Sequence, residues 1–426
     1  MQQMSHKVEL KPNNEQKTYF KKASGTSRFT WNWALAAWNS SYEAYAKAKK
    51  ADPNTKLEPP NALSLKKQFN NTIKKDPKYD WLYEVTKYAS QQPFIHLQKG
   101  FSRFFQKLSN RPKFKAKSRG EDSFYIGGDQ LKVEGKKIWI PLLGWVRMRE
   151  DLRFDGKINS ATISRHADRW YASIQVQVED VSSSRPKSKC TVAGSESQAP
   201  VGVDLGLNTA VQLSNGISIK SPKPLGEHLK RLARYQRQLC KKKKGSNNRT
   251  KAKLKVSRLH KKISDVREDF LHKSTSYLVF NYSSIGIEDL NVKGMVKNSK
   301  LSRAISDVGF GEFRRQLTYK SASRGVELKV FDRFYPSSKT CSCCKHVKTD
   351  LSLSTRLYVC DECGAEIDRD LNASINLEPV PRVNREFTPA EITALEKQAG
   401  VCFTTSIDQK RSRKLTSDVY HLDKFE

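Results

Sequence analysis

Residues 337–377 read SSKTCSCCKHVKTDLSLSTRLYVCDECGAEIDRDLNASINL, which sets two cysteine knuckles immediately before an Asp-x-Asp-x-Asn run. Cys341-x-x-Cys344, fifteen intervening residues, then Cys360-x-x-Cys363 is the four-thiolate pattern of a structural zinc ribbon. Each pair can wrap one side of a tetrahedral ion, and Gly364 permits the tight turn that a knuckle needs. Cys343 is a spare thiol, since a register using it in place of Cys344 breaks the two-residue spacing. The other cysteines, Cys190, Cys240 and Cys402, are scattered, so the spacing is that of a metal site and not of a disulfide framework.

Working outward, the chain carries 78 Lys plus Arg against 44 Asp plus Glu, a formal charge of +34 over 426 residues. Folding requires no such excess. A polyanionic partner does, because each neutralised phosphate releases counterions. The length predicts two to four domains. The longest apolar run, Ile138 to Val146, is interrupted by Pro141 and Gly144 and is about half what a membrane helix needs. The N-terminal MQQMSHKVELK has no apolar core of a secretory signal. These features predict a reducing, cytoplasmic, nucleoid-associated setting without a membrane partner.

The N-terminal half opens with a short strand over residues 5–11, stopped by Pro12, Asn13 and Asn14. Helical periodicity follows from Asn14 to Lys47, again through Leu63 to Ile73, and from Gln91 to Leu108. In the last, Phe94, Leu97, Phe101, Phe104 and Phe105 line one side, as expected of a core-facing helix, and Lys99, Arg103 and Lys107 the other. Arg111 to Arg119, RPKFKAKSR, reads as a basic strap. Six short strands between Ser123 and Val178 then suggest a small barrel or sandwich, and Ser182 to Pro200 a polar linker.

At Val201 the pattern changes to VGVDLGLNTAVQLSNGISI, a hairpin meander in which Asp204 interrupts an apolar strand. Two amphipathic helices between His228 and Phe270 carry fifteen Lys or Arg and no acid from Lys230 to Lys262. Ile285 to Ile287 is a strand ending on Glu288. A helix from Phe310 to Ala322 and a strand from Val326 to Phe331 follow. Meander, helices, strand with an acid, helix, strand is the order of an RNase H-like α/β domain. Asp204, Glu288 and either Asp368 or Asp370 then form a carboxylate set suited to phosphodiester hydrolysis on two magnesium ions, with manganese as an alternative.

With those residues in view the chain resembles the TnpB family, the insertion-sequence OrfB proteins related to type V CRISPR effectors. The matching pieces are GVDLGLNTAV, IGIEDLNVKGM, YPSSKTCSCC through CDECG, and DRDLNASINL; LKPNNEQ, PKFKAKSR and ISRHADRWYASIQV also look family-like. The resemblance implies a multidomain α/β protein: an RNase H-like RuvC nuclease domain with an inserted zinc ribbon, a β-barrel wedge domain and a helical recognition domain. It places the first wedge strand at 1–13, recognition domain at 14–118, wedge barrel at 119–182 and linker at 183–200. The RuvC-like domain falls at 201–336 and 367–378, the ribbon at 337–366 and a tail at 379–426. It assigns the nuclease acids to Asp204, Glu288 and Asp370, leaving Asp368 a neighbour. It implies RNA-guided cleavage of double-stranded DNA beside a short motif, with a transposon-end guide RNA bound to a monomer. A nuclease-inactive RNA-guided repressor and a transposition accessory protein are the alternatives. Ser90, Gln91 and Gln92 are expected to help read the adjacent motif, because glutamine can pair with adenine edges. One departure from the family pattern is Lys345, where a glycine usually follows the first knuckle.

Overall fold

The computed structural model describes residues 2–117, 122–179, 199–352 and 355–379, so the expected tail and nearly all of the expected linker lie outside the described residues. The chain divides into two compact units, Met1–Lys187 and Ser188–Glu426.

The first unit begins with strand β1 (Gln2–Leu10) and a 38-residue helix α1 (Asn14–Ala51). Asn13 starts the helix by a reciprocal cap: its side chain accepts from Gln16 N at 2.8 Å while Gln16 Oε1 accepts from Asn13 N at 3.0 Å. Helices α2 (Ala62–Thr72) and α3 (Lys87–Phe105) pack on α1. Phe94, Leu97 and Phe101 are buried there, with Phe101 stacked on Trp38 at 4.5 Å, whereas Phe105 is half exposed.

Strands β2 (Ser123–Gly127), β3 (Lys132–Glu134), β4 (Lys137–Ile140), β5 (Gly144–Arg147), β6 (Lys157–His166) and β7 (Arg169–Val178) complete this unit. They form two antiparallel sheets, β1-β7-β6-β2 and β3-β4-β5, over one apolar core. The first strand is thus paired along its whole length with the last, Leu10 opposite Trp170. Residues 111–117 of the basic strap run without regular structure along α1. Trp31 Nε1 and Asn32 Nδ2 donate to the Lys113 and Lys115 carbonyls, and Lys115 lies 4.1 Å above the Trp31 ring.

The second unit is built on strands β8 (Val201–Asp204), β9 (Val211–Leu213) and β10 (Ser218–Ile219), then helices α4 (Pro224–Cys240) and α5 (Asn247–Asn281). Helix α5 runs on past Phe270 because no glycine or proline interrupts it before Asn281. Strand β11 (Ser284–Glu288), helices α6 (Val292–Met295), α7 (Ser302–Val308) and α8 (Phe310–Arg324), and strand β12 (Glu327–Phe331) follow. The sheet order is β10-β9-β8-β11-β12, antiparallel among the first three and parallel among the last three. A ribbon of β13 (Leu357–Val359) and β14 (Glu366–Asp368) leads into α9 (Arg369–Asn376). The core of this unit lies between the sheet and α5, α7 and α8, around Val203, Ile285, Ile287, Phe313 and Leu317.

Candidate functional site

Strands β8 and β11 run parallel in register, Gly286 opposite Gly202 and Ile287 opposite Val203, so Asp204 and Glu288 end neighbouring strands on the same side. Helix α9 lies against β8. Its C-terminal turn comes so close to the sheet that a Cβ on Gly202 would overlap the Ser374 carbonyl oxygen and stand 2.7 Å from Glu378 N. One on Gly286 would overlap the Leu377 oxygen. Both glycines have ordinary negative φ; space, not backbone freedom, requires them here. Each lies two residues before an acid, so the glycine that admits α9 and the carboxylate that faces it belong to one short strand.

This approach brings the acids within electrostatic reach. Burial, then the like charges of Glu288 and Asp370, push the Asp204 carboxyl up to about 7. Burial raises Glu288 as well, against the Ser337 hydroxyl that donates to its Oε1. Burial and then Asp368 raise Asp370, and Arg356 Nη1 stands 3.9 Å from its Oδ1. Mutual repulsion of half-buried carboxylates is what a bound cation relieves. The two aspartates of the last motif differ in employment. Asp368 is the N-cap of α9, its Oδ1 accepting from Asp370 N at 2.9 Å and Leu371 N at 3.0 Å, while the Asp370 carboxylate is left to the cluster.

The four cysteines converge as a second centre. All four Sγ atoms lie within 4.8 Å of one another, with Cys341 and Cys363 at 3.7 Å and Cys344 and Cys360 at 3.5 Å. A tetrahedral thiolate site with bonds of about 2.3 Å has edges of roughly 3.8 Å, so this set fits a zinc-type metal. The two knuckles repeat one hydrogen-bond scheme: Lys345 N to Cys341 O at 3.0 Å, and Gly364 N to Cys360 O at 3.1 Å. Both closing residues are left-handed, Gly364 at φ 69° and Lys345 at φ 65°. A lysine in that region is strained, and its Nζ donates to Asn376 Oδ1 at 3.2 Å.

Two buried asparagines join the centres. Asn372 Oδ1 accepts from Ser342 N at 2.9 Å and its Nδ2 donates to Thr340 O at 2.7 Å. One turn later Asn376 Nδ2 donates to Thr340 O at 2.6 Å and Ser337 O at 3.0 Å. The knuckle is thereby hydrogen-bonded to the helix that carries Asp370.

The basic helices α4 and α5 share a small apolar seam of Leu232, Leu259 and Ile263. Asp307 anchors their base, accepting from Leu225 N at 3.0 Å, Gly226 N at 3.1 Å and Arg267 Nη2 at 2.8 Å. In the other unit, Ser90 is buried with its hydroxyl bonded to Lys87 O, whereas Gln91 and Gln92 remain half exposed.

Three family profiles match: residues 165–299 to OrfB_IS605, described as "Probable transposase"; 310–377 to "Cas12f1-like, TNB domain"; and 1–47 to an OrfB_IS605 "Helix-turn-helix domain". Residues 2–47 fold here as one strand and one uninterrupted helix. A Streptomyces pristinaespiralis protein named "Putative RNA-guided DNA endonuclease" is 39% identical over 71% of this chain and 74% of its own length. "Putative RNA-guided DNA endonuclease InsQ" of Escherichia coli K12 is 32% identical over 87% of this chain and 90% of its own. Among solved structures, the Cas12f1 chain of "Cryo-EM structure of the Cas12f1-sgRNA-target DNA complex" shares the fold at a TM-score of 0.51, with 16% identity, over 86% of this chain and 83% of that one. With two relatives above 30% identity over most of their lengths, and the OrfB profiles spanning its centre and N-terminus, the chain belongs to the TnpB family of insertion-sequence OrfB proteins.

Proposed function

We propose that this protein is an RNA-guided DNA endonuclease that hydrolyses double-stranded DNA beside a short target-adjacent motif. The observation that carries the reading is the carboxylate cluster: Asp204 and Glu288 end adjacent parallel strands, Asp370 opens the helix packed against them, and burial with the like charges of Glu288 and Asp370 pushes Asp204 up to about 7. Relatives bearing the endonuclease name support the same conclusion. The five-strand order, with the acids at the ends of β8 and β11, supports an RNase H-like, RuvC-type domain. The two-sheet core and the α1–α3 bundle support the wedge and recognition domains respectively.

Asp204, Glu288 and Asp370 would hold magnesium, which when bound supplies an activated water and charge stabilisation at the scissile phosphate. The chain's own part is positional. Gly202 and Gly286 admit α9, Asp368 caps it, and Ser337 orients Glu288. Cys341, Cys344, Cys360 and Cys363 would hold structural zinc, and α4 and α5 offer phosphates a dense cationic face. The setting is cytoplasmic, and the working form is one protein chain with a guide RNA from its own transposon end.

The test is to express the protein with its flanking DNA, sequence the RNA that copurifies, and assay plasmid cleavage with magnesium for wild type and Asp204→Ala. Bound RNA with guide-dependent cutting that the substitution abolishes is the expected result. Target binding without cutting in wild type would overturn the nuclease assignment in favour of a repressor.

A further inference from the structure

The loop between β12 and the first knuckle is fixed beside the carboxylate cluster at both of its ends. Arg333 donates to Asp289 Oδ2 at 2.8 Å and to the Asp289 carbonyl at 3.2 Å, and Ser337 bonds Glu288. Between them the turn is closed by Asp332, whose Oδ1 accepts from Phe334 N at 2.8 Å and whose carbonyl accepts from Tyr335 N at 3.0 Å. Tyr335 is drawn inward, its ring 5.1 Å from Phe331 and its hydroxyl on Asn376 O. Phe334 goes the other way. It is 87% exposed, more than any other large apolar side chain among the described residues, and has no ring or cation partner there. A turn fixed on both flanks thus holds one bare aromatic face in water. It lies three positions before Ser337, a span of at most about 10 Å, or roughly three stacked nucleotides.

We infer that Phe334 is a stacking platform for an unpaired base of the DNA strand entering the acid cluster. The inference rests on the nuclease reading above and adds to it how the strand is held. Every base presents a π-face, so the contact suits a site that must accept any sequence. Arg356, beside Asp370, supplies positive charge for the same strand's phosphates.

Guide-loaded wild type, Phe334→Ala and Phe334→Trp are compared on a guide-matched duplex. The expected result is a roughly tenfold slower single-turnover cut for Phe334→Ala, the scale of one lost stack, with target binding within twofold of wild type and the rate restored by Phe334→Trp. In an Asp204→Ala background, Phe334→Trp should also lose fluorescence on target binding relative to its Phe334 parent. Wild-type cutting by Phe334→Ala, loss of target binding in step with cutting, or unchanged tryptophan emission would overturn the platform and leave the nuclease reading standing. A wild-type complex that cuts nothing with magnesium defeats the nuclease reading itself, and the platform with it.

Discussion

Adding one methyl group at Gly202 should cost more activity than many larger changes elsewhere. The Cβ of Gly202→Ala would overlap the Ser374 carbonyl oxygen and stand 2.7 Å from Glu378 N, about 1 Å inside ordinary contact. Both obstacles are backbone, so no side chain can swing aside. Helix α9 must retreat, but Asn372 and Asn376 tie it to the knuckle, and the displacement is passed to Asp370 in its first turn. An overpacked contact of this kind costs about 1–3 kcal/mol of stability, and a 1 Å misplacement of a catalytic group about 100-fold in rate. Gly286→Ala pushes on the Leu377 oxygen of the same turn, so the double substitution should lose less than the product of the single losses. Gly311→Ala, on the exposed face of α8 with nothing within 4 Å of its Cβ, is the control and should be neutral or slightly stabilising. The assay is single-turnover cleavage by guide-loaded protein, alongside thermal melting. If Gly202→Ala cuts at the rate of Gly311→Ala, the close approach of α9 does not set the acid geometry and the reasoning fails.

Asp204 should make the magnesium-free protein sensitive to pH. Its folded-state pKa of about 7 exceeds the ordinary carboxylate value of about 3.9, so the folded chain holds the proton more tightly. The resulting stability is fully present below pH 4 and is lost as pH rises through 7, a change of a few kcal/mol. Melting in magnesium-free buffer from pH 4 to 8 should show Asp204→Asn flatter and, at pH 8, several degrees more stable than wild type, while it cuts nothing; parallel curves would refute this. Cys360→Ser should lose bound zinc and, with all three acids intact, lose cutting as well. Asn372→Ala should depress cutting and cost about 1–3 kcal/mol through unpaired Ser342 N while zinc content, measured by metal analysis, stays at wild type; normal cutting in either variant would disconnect the two centres.

What could be read in advance was what sequence spacing encodes. Cys341 to Cys363 is local chemistry at fixed offsets, and its four sulfurs do converge. Asp204 and Glu288 stood out because a charge at the end of an apolar strand needs a reason. The choice between Asp368 and Asp370 was less legible, because it turns on where the last helix begins. It begins at Arg369, which makes Asp368 the cap; an aspartate directly before a helical run was the available signal. Gly202, Gly286, Ser337, Asn372 and Asn376 carried no such sign. Their partners lie tens to nearly two hundred residues away, and only the packing of α9 across β8 and β11 gives them work. Lys345 looked like a minor departure; its left-handed backbone and its bond to Asn376 show a strained residue with a compensating contact. The phenylalanines of α3 divided by burial: Phe94 and Phe101 are buried, Phe104 is partly so, and Phe105 is half exposed beside Tyr42 of α1.

Asp307 holds the base of α4 and α5, while from Lys230 to Lys262 fifteen positive charges have no acid of their own segment to offset them. Left bare, those two helices repel themselves, and the pin at Asp307 must resist that strain. A bound polyanion removes it, and at a thousand times its Kd adds about 4 kcal/mol to the fold. Protein without such a partner is then the less stable fraction and the first offered to proteases.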